Sequence, residues 1–138
     1  MSPIREMTIN DYEQLIELWS RIQGLVLSES DSKENIKLYL TRNLGMSFVT
    51  EQDGRITGTI LCGHDGRRGY IYHVAVDPES RGQKLGERLV RASLGRLRQE
   101  GIEKCHLFVL DDNEIGRRFW HAVGWEKRSG FCVFSRDV

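Results

Sequence analysis

Residues 70–100 read YIYHVAVDPESRGQKLGERLVRASLGRLRQE, and a change of period inside this stretch decides the fold. Residues 70–76 are rich in β-branched and aromatic side chains, which favours a strand, and Pro78 cannot extend a hydrogen-bonded ladder. From Leu85 onward, Leu85, Leu89, Val90, Leu94 and Leu97 fall at helical spacing, and Gly101 stands where a helix is closed. Between the two elements lies RGQKLG, residues 81–86. Successive backbone N–H groups at the start of a helix, with glycines and cations beside them, make a site for an anion.

Working back toward the N-terminus, SFVTEQ, the pair Asp53-Gly54 and RITGTILCGH spell strand, two-residue hairpin turn and strand. HDGRRG then turns into the strand at 70–76, so three antiparallel strands follow one another. Before them, residues 3–7 suit a short strand, and Thr8 or Asn10 can cap a helix carrying Tyr12, Leu15, Ile16, Leu18, Trp19 and Ile22. A polar loop follows, ending in the capping residues Asp31 and Ser32, and a second helix spans about 33–43. Working forward, 104–112 is a strand that follows a helix and so lies parallel to 70–76. Residues 113–123 form a short helix, and WEKRSGFCVFSRD forms a terminal hairpin turning at Ser129-Gly130. The order β-α-α-β-β-β-α-β-α-β-β predicts an α/β sandwich around one mixed sheet, with residues 1–138 as a single domain.

Composition narrows the partners. Lys plus Arg and Asp plus Glu are both 20 in 138 residues, and this balance argues against nucleic acid as a partner. No apolar run is long enough to span a membrane and the first residues carry no signal-peptide pattern, so a cytoplasmic protein with no membrane partner is expected. Cys62, Cys105 and Cys132 each sit in a strand-like segment and read as reduced core thiols. No CxxC or HxxxH spacing points to a metal, and none is expected.

VAVDPESRGQKLG ahead of the long helix, NEIGRRFWHAVGW after the next strand, and the order of elements together resemble the GCN5-related N-acetyltransferase (GNAT) family. The likeness covers nearly the whole chain and is strongest from about 46 to 126. It implies a mixed, mostly antiparallel sheet with a V-shaped splay between two parallel central strands, and helices on both faces. It also implies an N-acetyltransferase that uses acetyl-coenzyme A (acetyl-CoA) as co-substrate. By the resemblance, the pyrophosphate rests on Arg81, Gly82, Gln83, Lys84, Leu85, Gly86 and Glu87. The pantetheine arm runs along Val74, Ala75 and Val76, whose backbone also supplies an oxyanion donor, and Asn113 contacts the arm. The family's phosphate loop has a glycine where this chain has Lys84. A lysine is expected to fit there only with φ below zero, while adding a charge near the phosphates.

Two family positions are altered. A tyrosine that protonates the leaving thiolate in many relatives is replaced by Trp120, and a strand glutamate of N-terminal acetyltransferases is replaced by Phe108. An indole N–H is no practical acid, so the proton acceptor is sought at Tyr72 and His73, where other relatives carry polar side chains. Strand alternation puts these two on opposite faces, with Tyr72 sharing a face with Tyr70 and Val74. Trp19 and Trp120 are read as walls of the acceptor pocket. Glu29, Asp31 and Glu34, on the loop over that pocket, suit a cationic amine. A small-molecule amine is the expected acceptor, with a protein or peptide amine as the alternative. The altered positions also admit a silent acyl-CoA-binding module. The absence of GxxxxGK[ST] and GxGxxG speaks against a nucleotide-binding protein. The terminal strands leave room for a homodimer.

Overall fold

The computed structural model describes residues 2–138, in one compact unit reaching to Phe108 and a second spanning Val109–Val138. In the first unit β1 (Ile4–Glu6), α1 (Tyr12–Ser20), α2 (Lys33–Arg42), β2 (Phe48–Gln52), β3 (Arg55–His64), β4 (Gly69–Val76), α3 (Leu85–Gln99) and β5 (Cys105–Leu107) follow in order. The sheet order is β1-β2-β3-β4-β5. Every neighbouring pair is antiparallel except β4 and β5, which are parallel as the intervening helix requires.

Local chemistry accounts for the boundaries. Ser32 accepts the Asn35 N–H through its side chain and starts α2. Asp53 and Gly54, at φ 52° and 78°, form a hairpin turn with both central residues left-handed. The N–H of Ile102 returns to the Leu97 carbonyl around Gly101, at φ 81°, which ends α3.

Successive β3 residues show how the layers stack. Thr59 meets Trp19 of α1, whereas a Cβ on Gly58 would meet Leu89 of α3 at 3.0 Å. Neighbouring positions on a strand point to opposite faces, so α1 and α3 cover opposite sides of the sheet. The α1–α2 side is filled by Leu15, Leu18, Trp19 and Ile36 against Val49, Ile56, Leu61 and Ala75. On the other side α3 buries Leu85, Leu89, Val90 and Leu97, and a Cβ on Gly69 would lie 2.6 Å from Leu97. Only a strand without a side chain at that point lets the helix approach so closely.

The second unit holds α4 (Glu114–Ala122), capped by Asn113, whose side-chain oxygen accepts the Gly116 N–H at 2.9 Å. Trp120 packs edge-on to Phe119 and Trp125, with ring centroids 5.0 and 4.9 Å apart. Two expectations are corrected here. The parallel strand expected over 104–112 is confined to Cys105–Leu107, and residues 125–138 form no strand, so the terminal hairpin is not present. Phe131, Val133 and Phe134 stay exposed, and no ladder holds this segment. Cys132 is accordingly exposed, while Cys62 is buried and Cys105 partly so; all three are free thiols. Among the described residues, no helix is long and apolar enough to cross a membrane.

Candidate active site

β4 is irregular at its centre. Leu61 pairs with Tyr72 and Thr59 with Ala75, so Ile60 of β3 faces two residues, His73 and Val74. This is a β-bulge, and His73 sits at φ 49°, in the left-handed region. The extra residue resets the alternation. Tyr72 packs against Tyr39 of α2, His73 against Trp19 of α1, and Ala75 belongs to the same α1–α2 core. Tyr72 and His73 therefore point to one face, not opposite faces, because regular alternation stops at the bulge.

Just before the bulge β4 loses its other neighbour. β5 pairs with Gly69, Tyr70 and Ile71 only, and from Tyr72 to Val76 that edge of β4 has no ladder partner among the described residues. Phe108, immediately after β5, is 63% exposed. The parallel strands thus part at Ile71, as a splay requires, leaving the backbone of Val74, Ala75 and Val76 beside an open edge.

His73 is held from three sides. Its Nε2 lies 2.8 Å from Oδ1 of Asp31, which belongs to the turn Glu29–Asp31 between α1 and α2. Its carbonyl accepts the Thr59 hydroxyl at 2.9 Å, and that hydroxyl accepts the Trp19 indole N–H at 2.8 Å. The Trp19 ring lies 4.7 Å from the His73 ring. Asp31 is fixed in turn: its other oxygen accepts the Ser28 N–H at 3.0 Å, and its carbonyl accepts the Tyr12 hydroxyl at 2.7 Å. Side-chain exposure is 15% for His73 and 8% for Asp31, so the pair is largely removed from water.

These contacts revise two sequence expectations. Trp19 is fully buried with its N–H engaged, so it supports His73 from behind and does not line an acceptor pocket. Asp31 is paired with His73, whereas Glu29 and Glu34 of the same acidic stretch stay exposed. Tyr72 is 40% exposed and reachable; burial, and then the nearby Tyr70, push its phenol above the ordinary value.

After β4, Asp77 accepts the Glu79 N–H and pairs with Arg21 at 3.2 Å and Arg55 at 3.4 Å, which pins the chain entering the loop. Gly82 adopts φ 89° with open space where a Cβ would be. Lys84 adopts φ 57°, contrary to the expected negative φ; the chain turns there into α3 and accepts left-handed backbone without glycine. As the residue preceding α3, Lys84 makes no side-chain cap, since an ammonium has no acceptor to offer. The first N–H groups of α3 are left for an outside acceptor, with the exposed Arg81 and Lys84 beside them. Arg88, one turn into α3, carries a buried Nη1 with no hydrogen-bond partner among the described residues. Nothing in its sequence spacing marks Arg88 apart from the other cations of α3.

Asn113 and Trp120 belong to the second unit, where the Asn113 oxygen serves as the α4 cap and Trp120 packs with Trp125. A cavity of about 210 Å³ lined by Met7, Leu40, Leu44 and Ser47 contains none of the candidate site residues. Among the described residues, no three His, Cys, Asp or Glu side chains converge on a metal-sized centre.

Solved structures share this fold. PaiA N-acetyltransferase from Thermoplasma acidophilum, in complex with coenzyme A, is 21% identical over 95% of this chain and 93% of that chain, with a TM-score of 0.80. Ard1 from Thermoplasma volcanium is 21% identical over 93% and 84%, with a TM-score of 0.81. AAC(6')-Iy, in complex with the bisubstrate analogue CoA-S-monomethyl-acetylneamine, is 16% identical over 100% and 99%, with a TM-score of 0.79. The profile of the acetyltransferase (GNAT) family matches residues 12–125, which is most of the chain. The protein belongs to the GNAT family and is an acetyltransferase.

Proposed function

We propose that the enzyme moves an acetyl group from acetyl-coenzyme A directly to the primary amine of a small molecule, with residues 1–138 acting as one N-acetyltransferase-like domain. The observation that carries this reading is the open edge of β4, which starts after Ile71, contains the bulge and leads into the uncapped start of α3. An extended pantetheine arm can add to such an edge as a strand would, along Val74, Ala75 and Val76. The pyrophosphate then meets the free N–H groups over 82–87, where the helix dipole favours negative charge. Arg81 and Lys84 supply cations, and the unpartnered Nη1 of Arg88 is a further donor. Asn113 and Trp120, which the resemblance assigns to the arm and the acceptor, belong to the second unit.

The bound thioester provides the activated acetyl group: the amine nitrogen bonds to its carbonyl carbon, the C–S bond breaks, and the sulfur leaves as thiolate. His73 takes the proton that the nitrogen loses, and Tyr72 or water relays it onward to the sulfur, so no net proton is consumed. The backbone of Val74 to Val76, beside the bulge, supplies the N–H donor for the developing oxyanion. Trp120 contributes no proton, because an indole N–H does not ionise in this range.

A small acceptor is favoured by Phe108, which stands where N-terminal acetyltransferases carry a glutamate, and by the acetylneamine moiety in the analogue bound to AAC(6')-Iy. Thiol release from acetyl-coenzyme A, followed with and without a panel of amines, tests the reading. Acceleration by a small amine is expected; acceleration by peptides alone would overturn the choice of acceptor, and no acceleration by any amine would overturn acetyl transfer. Arg81→Glu is expected to weaken coenzyme A binding by about tenfold or more, since it replaces an attraction to phosphate by a repulsion. Unchanged affinity would remove the phosphates from this loop.

A further inference from the structure

We propose that Asp31 is a positioning residue for the acetyl transfer: it fixes the His73 imidazole as the Nε2–H tautomer and so presents Nδ1 as the proton acceptor. This assignment rests on the acetyl-transfer reading above. Asp31 offers His73 an oxygen at 2.8 Å, and a carboxylate can only accept, so the shared proton lies on Nε2. A neutral imidazole carries one N–H; with that N–H on Nε2, the lone pair falls to Nδ1. Nδ1 makes no hydrogen bond among the described residues, which leaves it free to receive a proton.

The surroundings are built to hold this arrangement. Asp31 cannot rotate away without giving up the Ser28 N–H on Oδ2, and the Tyr12 hydroxyl ties down its carbonyl. Trp19 blocks one side of the imidazole ring, and the Thr59 hydroxyl holds the His73 carbonyl in the bulge. Left-handed backbone at His73 is costly for a residue with a side chain, and it persists where surrounding contacts determine it. Histidine, backbone and carboxylate are thus locked together, although Asp31 and His73 stand 42 positions apart. The proton balance is simple. The amine N–H bond breaks as the C–N bond forms, the proton moves to Nδ1, and it later leaves for the thiolate or water.

The test reads the tautomer and the turnover separately. In protein labelled with ¹⁵N at histidine, with His73 assigned by comparison with His73→Gln, two-bond N–H couplings at mildly alkaline pH report which ring nitrogen carries hydrogen. A protonated Nε2 with an unprotonated Nδ1 is expected; the reverse pattern overturns the proposal, whatever the enzyme's activity. With the amine that best accelerates thiol release, Asp31→Asn is expected to lower kcat on the order of 10²-fold while KM for acetyl-coenzyme A stays within about twofold. Asp31→Glu is expected to recover part of the loss. A kcat for Asp31→Asn within about twofold of the parent, or losses of kcat and coenzyme affinity that move together with Tm, overturns the positioning role. If no amine accelerates thiol release by the parent enzyme, the acetyl-transfer reading has failed, and the coupling pattern alone still decides the tautomer.

Discussion

Thr59 serves two buried groups with one hydroxyl, accepting from Trp19 Nε1 and donating to the His73 carbonyl. Both Thr59 and Trp19 are wholly inaccessible to water. Thr59→Val keeps the shape and removes both partners, leaving a donor and an acceptor unpaired. A loss of about 3 kcal/mol is expected, from about 1–3 kcal/mol for each unsatisfied buried group. Urea unfolding measures it, and Thr59→Ser, which keeps the hydroxyl, is expected to lose clearly less. The sequence exposes this residue only as one β-branched position among many. It marks Trp19 as apolar stripe, but whether that indole lines a pocket or fills a core depends on what meets its N–H from 40 positions away. Asp31 has the same difficulty: an acidic loop residue looks solvated until its histidine is found.

At the scale of elements, period and punctuation carried most of the reading. The Asp53-Gly54 hairpin, the Ser32 cap, the stripe of α3 and its closure at Gly101 are local signals, and each is present in the structure. The bulge in β4 is different, because it exists only as a count of β4 residues against β3. Alternation read along one strand assigned Tyr72 and His73 to opposite faces for that reason. Residues 125–138 show the converse failure, since an apolar run beside the Ser129-Gly130 turn signal supplies no partner strand. Lys84 belongs to this scale too, because the entry into α3 sets its backbone at φ 57°. Left-handed backbone costs a residue with a Cβ roughly 1–2 kcal/mol, partly offset in glycine by its larger unfolded entropy. Lys84→Gly is therefore expected to raise stability by about 0.5 kcal/mol while weakening coenzyme A binding and flattening its salt dependence. Thermal melts with and without coenzyme A, at two salt concentrations, separate the two effects; a fall in stability would contradict the strain.

For the molecule as a whole, two buried carboxylates tie distant segments together. Asp77 joins the turn after β4 to Arg21 beyond α1 and Arg55 of β3, and Asp11 joins the start of α1 to Arg5 of β1. The Glu79 N–H, and then Arg21 and Arg55, hold the Asp77 carboxyl below its ordinary value. Burial alone would raise Asp11, but the Arg5 guanidinium and the Thr8 N–H outweigh it and the net shift is also downward. A carboxyl depressed in the folded state stabilises above its unfolded value, near 4, and loses that contribution as pH falls through the folded value. Tm is therefore expected to fall steeply below about pH 4. Asp77→Asn is expected to lower Tm at neutral pH and to shrink the acid-dependent part of the loss; an unchanged acid limb would show that Asp77 is not among its sources.

The bulge has a consequence for how the chain could be edited. Tyr72 and Ala75 both face the α1–α2 layer although three positions separate them, and His73 is the residue that makes this possible. Deleting His73 would leave Tyr72, Val74 and Ala75 on the faces they already occupy, and Ile60 would then meet a single partner. β3 and β4 would zip into an uninterrupted hairpin. The sheet can be built without this residue; the proton transfer proposed for it cannot. His73 behaves as an insertion that the scaffold accommodates, and a one-codon deletion there should trade catalysis for a more regular fold.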